Sequence, residues 1–96
     1  MTEDDVERVR DLLAGVPSGR VVTYGDLATA AGLRSPRMVG TILAQDSADL
    51  PWHRVVRADG TCAPVVATEQ HARLSSEGVP AVDGRVDLAS LRHPLG

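Results

Sequence analysis

The sequence predicts a mainly α fold: one small domain over residues 1–96, built around a helix-turn-helix with one or two short strands. Three observations carry this prediction. A chain of 96 residues with 43% apolar content supports one modest core and no second. Apolar residues recur at helical spacing in four segments, each bounded by a capping residue or a glycine. Between Gly32 and Ser35 two such segments are joined by a tight turn, the arrangement of a helix-turn-helix and one that many helical domains also use structurally.

The elements follow in order. Thr2 caps a helix over Glu3 to Ala14, with Asp5 at the capping-box position and Val6, Val9, Leu12 and Leu13 on one face. Its acids, among them Glu3, Asp4 and Asp5, sit at the positive end of the helix dipole. Gly15 to Gly19 breaks it, and Arg20-Val21-Val22 is extended. Thr23 and Asp26 form a second capping box, and that helix buries Leu27, Ala28 and Ala31 before stopping at Gly32. Ser35 and Pro36 open a third helix, to about Ala44, which buries Val39, Ile42 and Leu43. Leu50 to Val56 reads as a buried approach ending in a strand, with a turn at Ala58-Asp59-Gly60. Thr68 is expected to cap a last helix to about Ser76, stopped by Gly78, and the tail Val79 to Gly96 to be loosely packed strand or coil.

Composition narrows the function. With no Phe, and only Tyr24 and Trp52 as aromatics, Val, Leu, Ile and Ala must fill the core. The lone Cys62 can form neither an internal disulfide nor a thiolate metal site, so no metal or cofactor is expected. No stretch is long and apolar enough to cross a membrane, and the acidic N-terminus lacks a signal-peptide layout, so a cytoplasmic protein is expected. A net charge of −3 argues against nonspecific coating of nucleic acid. Five acids fall within the first eleven residues, however, and Arg20, Arg34 and Arg37 face only Asp26 between residues 20 and 37, which leaves room for a local positive face. A helix-turn-helix with such a face is compatible with a small helical DNA-binding domain, since the second helix of this unit commonly enters a DNA groove.

Four stretches then carry a family resemblance: Val16-Pro17-Ser18-Gly19-Arg20-Val21-Val22-Thr23-Tyr24-Gly25-Asp26-Leu27-Ala28, Pro36-Arg37-Met38-Val39-Gly40, Pro51-Trp52-His53-Arg54-Val55-Val56 and Ser76-Glu77-Gly78. In order and spacing they resemble the C-terminal DNA-binding domain of O6-alkylguanine-DNA alkyltransferases. That family has Pro-Cys-His-Arg-Val where this chain has Pro-Trp-His-Arg-Val, and the Cys is its alkyl acceptor. An indole offers no comparable nucleophile, so alkyl transfer at position 52 is excluded. The Trp variant is similar to the alkyltransferase-like subfamily, whose members bind O6-alkylguanine in double-stranded DNA and hand the site to nucleotide excision repair proteins.

The resemblance implies roles for named residues. A lesion on guanine O6 lies inside the base stack, so inspecting it requires flipping the nucleotide out. Arg37 matches the arginine finger that fills the vacated stack, and Tyr24 the tyrosine that presses on the 3′ phosphate. Gly40 and Thr41 would let the third helix approach the minor groove, although Gly40 also fits a simple helix-packing role. Trp52, with Pro51 and Tyr24, would line the lesion pocket. His53 and Glu77 match the family's hydrogen-bonded relay, expected here only as structure, with Arg54 joining it.

Two departures accompany these matches. The loop from Gln45 to Leu50 is shorter than in typical alkyltransferases, leaving Asp46 without a firm match to their hinge asparagine. Val65 stands where some alkyltransferase-like proteins carry a basic residue after the Gly60 turn.

The sequence thus predicts a monomeric, non-enzymatic reader of DNA damage. One alternative is a helix-turn-helix transcription regulator, although no amphipathic dimer helix accompanies it. Another is an active alkyltransferase using Cys62, ten residues past the family position and without an adjacent His.

Overall fold

A computed structural model describes residues 2–95, so Met1 and Gly96, the ends of the expected domain and tail, lie outside the described residues. The chain runs α1 (Glu3–Ala14), β1 (Val22–Thr23), α2 (Tyr24–Ala31), α3 (Pro36–Gln45), a 3-10 turn (Trp52–Arg54), β2 (Val55–Val56), α4 (Ala67–Ser76), β3 (Ala81–Val82), β4 (Arg85–Val86) and α5 (Leu88–Leu91). The fold is mainly α, as the sequence predicts.

Both capping boxes form. Thr2 and Asp5 exchange side-chain and backbone bonds at the start of α1, and Thr23 and Asp26 do the same for α2. Such caps satisfy amides that have no partner within the helix. Gly32 ends α2 in the left-handed region, φ 75°, and Ser35 accepts from the Arg37 amide ahead of Pro36 to start α3.

Helices α1, α2 and α3 pack on one core in which Val9, Leu13, Val16, Leu27, Ala28, Val39, Ile42 and Val55 are buried. A second cluster, Val21, Val56, Cys62, Leu74, Val79 and Val86, lies under α4 and the tail. Between them β1 and β2 pair in parallel, Val22 with Val55 and Thr23 with Val56. This pairing places the Tyr24 end of α2 beside the segment that carries Trp52 to Arg57. Gln70, fully buried on α4, donates from Nε2 to the carbonyls of His53 (3.0 Å) and Val55 (2.7 Å), which locks the 3-10 turn and β2 onto that helix.

Two sequence expectations are corrected. Helix α4 starts at Ala67 behind Val66, with no side-chain cap, so Thr68 lies inside the helix instead of capping it. The tail is not loosely packed. Asp83-Gly84, both at positive φ, turn an antiparallel hairpin of β3 and β4, and Val86 is buried. The chain then returns to Val21, whose amide donates to Leu91 O (3.0 Å) and whose carbonyl accepts from His93 N (2.8 Å). Burying Val86 and satisfying both polar groups of Val21 gives the tail a fixed place that its weak apolar pattern does not announce. Among the described residues it also brings the short strands to four, where one or two were expected.

Candidate nucleic-acid interface

Trp52 opens the 3-10 turn that follows Pro51 and is half-buried, not deep in the core. Its indole lines an open cavity of about 410 Å³ together with Tyr24 at the start of α2, Gly40, Leu43, Ala44 and Gln45 along α3, Ser47 and Ala48 of the following loop, and Val66 ahead of α4. No charged side chain lines this cavity, so its wall is apolar with a few amide and hydroxyl groups. One edge of the indole meets His53, with ring centroids 6.2 Å apart and planes at 89°, and the Arg73 guanidinium stands 5.3 Å from the ring centroid.

Tyr24 and Gly40 also line a second cavity, of about 680 Å³, shared with Gly25, Pro36, Arg37, Arg57, Ala58 and Ala63. The two cavities therefore adjoin across a ridge made by the α2 N-terminus and the middle of α3. Tyr24 is half-buried there, and burial pushes its phenol above its ordinary pKa, with Arg57 opposing. Arg37 is exposed in the first turn of α3. An added Cβ on Gly40 would meet nothing within 4 Å, so helix packing does not require this glycine.

Behind the cavities lies a polar network. His53 Nε2 donates to Glu77 Oε2 (2.8 Å), and Arg54 donates to both Glu77 oxygens, from Nε at 3.0 Å and Nη2 at 2.7 Å. Arg54 Nη1 reaches the Val16 carbonyl (2.8 Å). The Glu77 carboxyl is held at about 2 chiefly by the Arg54 hydrogen bonds; burial opposes them as the next largest effect, and bonds from His53 and the Gly19 amide lower it further. This bidentate clamp ties α4 to the chain leading into α2.

Not every residue singled out in the sequence reaches the cavities. Pro51 supplies the residue before the 3-10 turn and lines neither one. Thr41 is exposed on α3 with its hydroxyl donating to Arg37 O (3.2 Å). Arg20 is tied to the Ser90 carbonyl (2.9 Å) at the tail, so it does not join Arg37 on a positive face. Asp46 caps the end of α3 and pairs with Arg10 (3.2 Å), and Arg10 also grips Asp49. The short loop after Gln45 that walls the first cavity is thereby anchored to α1. Val65 is 97% exposed.

Cys62 is buried in the second cluster beside Val56 and Leu74, and burial raises its thiol pKa. It lines neither cavity. A protonated, enclosed thiol is a poor nucleophile, which removes the support for an acceptor role at this position.

Three features around the cavities have no separate signal in the sequence: Arg57 in the second cavity, Arg73 over the indole, and Arg10 on the loop. The Arg73 and Arg10 contacts are long-range, and the place of Arg57 in the second cavity depends on the fold, so none of the three is marked in the sequence.

Comparison with known proteins is consistent with this geometry. The model of the 6-O-methylguanine DNA methyltransferase DNA-binding domain matches residues 5–79. The DNA base-flipping protein of Escherichia coli K12 is 37% identical over 92 residues, 90% of this chain and 71% of that protein. Alkyltransferase-like protein 1 of Schizosaccharomyces pombe is 37% identical over 79 residues, 75% of this chain and 73% of its own. The crystal structure of S. pombe Atl1 with damaged DNA containing O6-carboxymethylguanine superposes with a TM-score of 0.84 and 27% identity, covering 97% of both chains.

Proposed function

This chain belongs to the family of the 6-O-methylguanine DNA methyltransferase DNA-binding domain, and from that premise we propose that it binds O6-alkylguanine in duplex DNA without removing the alkyl group. The observation that carries the proposal is the indole of Trp52 in the wall of an open, uncharged cavity beside α3. A flat aromatic wall suits a flipped purine, and an indole has no lone pair able to displace an alkyl group from oxygen. The family includes enzymes; this member is a reader.

In this reading α3 enters the minor groove. Arg37, exposed and without a side-chain partner, enters the stack left by the flipped nucleotide, where its planar guanidinium stacks and donates. Tyr24, on the ridge between the cavities, presses on the backbone and drives the rotation. Gly40 and Thr41 give the helix its close approach. Trp52 and Tyr24 face the everted base, with Pro51 setting the turn that presents the indole. His53, Arg54 and Glu77 serve the fold, holding that turn against α4. The bound site then persists for nucleotide excision repair proteins to act on, since a reader that leaves its lesion in place needs a second machine.

Gel-shift titration tests the reading with two duplexes of one sequence, one carrying O6-methylguanine. Preferential binding of the lesion duplex is expected, with no label transferred from O6-[methyl-labelled] guanine to protein. Equal affinity for both duplexes would indicate a sequence-reading regulator instead, and stoichiometric transfer would make the protein an enzyme.

A further inference from the structure

The second cavity holds a residue to which the lesion-binding reading assigns no task. Arg57 follows β2, is exposed, and lines this groove together with Arg37. Six arginines are occupied elsewhere: Arg8 with Asp5, Arg10 with Asp46 and Asp49, Arg20 with Ser90 O, Arg54 with Glu77, Arg73 with Glu69 and Arg92 with Asp26. Among the described residues neither the Arg37 nor the Arg57 guanidinium has an ion pair or hydrogen bond. No carboxylate lines the groove. Asp59, two residues beyond Arg57, is folded back onto the Thr61 amide (3.0 Å) and hydroxyl (2.7 Å). Two free cations thus share a neutral groove on a protein whose net charge is −3.

We infer that Arg57 binds a backbone phosphodiester in this groove, flanking the nucleotide whose base occupies the Trp52 cavity. The inference rests on the lesion-binding reading for the position of that base. Tyr24 and Gly40 line both cavities, so the groove begins where the base cavity ends, and a base on one side of that ridge leaves its phosphate on the other. The planar guanidinium can donate two parallel N–H bonds to the non-bridging oxygens of a phosphate. Arg57 acts here by charge and positioning, with no base specificity of its own.

The test is the salt dependence of binding, measured with the full chain on the same pair of duplexes. Arg57→Gln is expected to reduce the slope of log K against log [NaCl] by about one, the loss of one phosphate contact. It should weaken binding to lesion and undamaged duplexes by the same factor and leave their ratio unchanged. Arg57→Lys should keep most of the slope, and Arg85→Gln, a cation outside the groove, should keep all of it. A parental slope in Arg57→Gln overturns the assignment. So does an equal drop in Arg85→Gln, which would mark a general charge effect, or a loss confined to the lesion duplex, which would mark a base contact. Should the parent bind both duplexes equally, the lesion reading fails while the slope still decides Arg57. Because Arg57 is exposed and unpartnered, a parental thermal transition is expected for each Arg57 variant.

Discussion

The Arg73 guanidinium stands 5.3 Å from the centroid of the Trp52 ring, so the one indole in the protein is both a cavity wall and the seat of a cation. Arg73 lies on α4 and is itself half restrained by Glu69 at 3.5 Å. The contact links α4 to the residue that walls the first cavity. Arg73→Ala should cost at most about 1 kcal/mol of stability, the scale of an exposed cation–π pair. It should also change the fluorescence of Trp52, the only indole present. An unchanged emission spectrum would show that the pair does not persist in solution.

Arg37→Ala should weaken binding to the O6-methylguanine duplex by about 1–3 kcal/mol, the range for a stacking or base-contacting arginine. Tyr24→Ala should weaken it too. Trp52→Ala should chiefly alter the preference between methyl and larger adducts. Fluorescence anisotropy with three adduct sizes separates these effects, and parental binding by all three variants would refute the assigned site.

Gly40 separates stability from binding. With no atom within 4 Å of an added Cβ, Gly40→Ala should stabilise α3 by up to about 1 kcal/mol through helix propensity. The same methyl group projects from the surface proposed to enter the groove, so affinity for DNA should fall. Urea denaturation and anisotropy on one preparation check both signs. A variant that is more stable and binds as well as the parent would remove Gly40 from the interface.

The Glu77 clamp predicts an acid limit. Its carboxyl titrates near 2 in the folded protein against an ordinary value of 4.5, so the unfolded chain takes up the proton first as pH falls. The stabilisation is complete above pH 4.5 and disappears as pH drops through about 2, a loss on the order of 2–3 kcal/mol. Glu77→Gln should flatten this part of the pH–stability profile. Urea midpoints between pH 5 and 2 provide the measurement.

Gly60 is required by the tail. Its φ is +85°, and a Cβ there would come within 2.5 Å of the Val86 carbonyl oxygen, backbone that cannot step aside. Gly60→Ala should therefore destabilise the protein by well over about 1 kcal/mol. It should do so while leaving the α1–α3 core intact, as judged by far-ultraviolet circular dichroism.

Much of the architecture is legible in the sequence because its signals are local. Thr2 with Asp5, Thr23 with Asp26, Ser35 with Pro36 and the glycine at 32 each act within one helical turn, and that suffices to place α1, α2 and α3. The motif Pro51-Trp52-His53-Arg54 likewise carries the family resemblance and the missing nucleophile without reference to the fold. The tail is different. Its Asp83-Gly84 turn is a local signal passed over, whereas the seat of Leu91 and His93 on Val21 is a pairing across some seventy residues that no periodicity encodes.

The residues alone determined that position 52 cannot accept an alkyl group, because nucleophilicity belongs to the atom and no surroundings give it to an indole. Only the tertiary structure decided where the charge lies. Ten arginines look alike in the sequence, and six have partners in the folded chain, five of them carboxylates and one, Arg20, the Ser90 carbonyl. Two of those left free, Arg37 and Arg57, converge on the groove beside Tyr24, because the parallel pairing of β1 with β2 sets the α2 N-terminus next to the Gly60 turn.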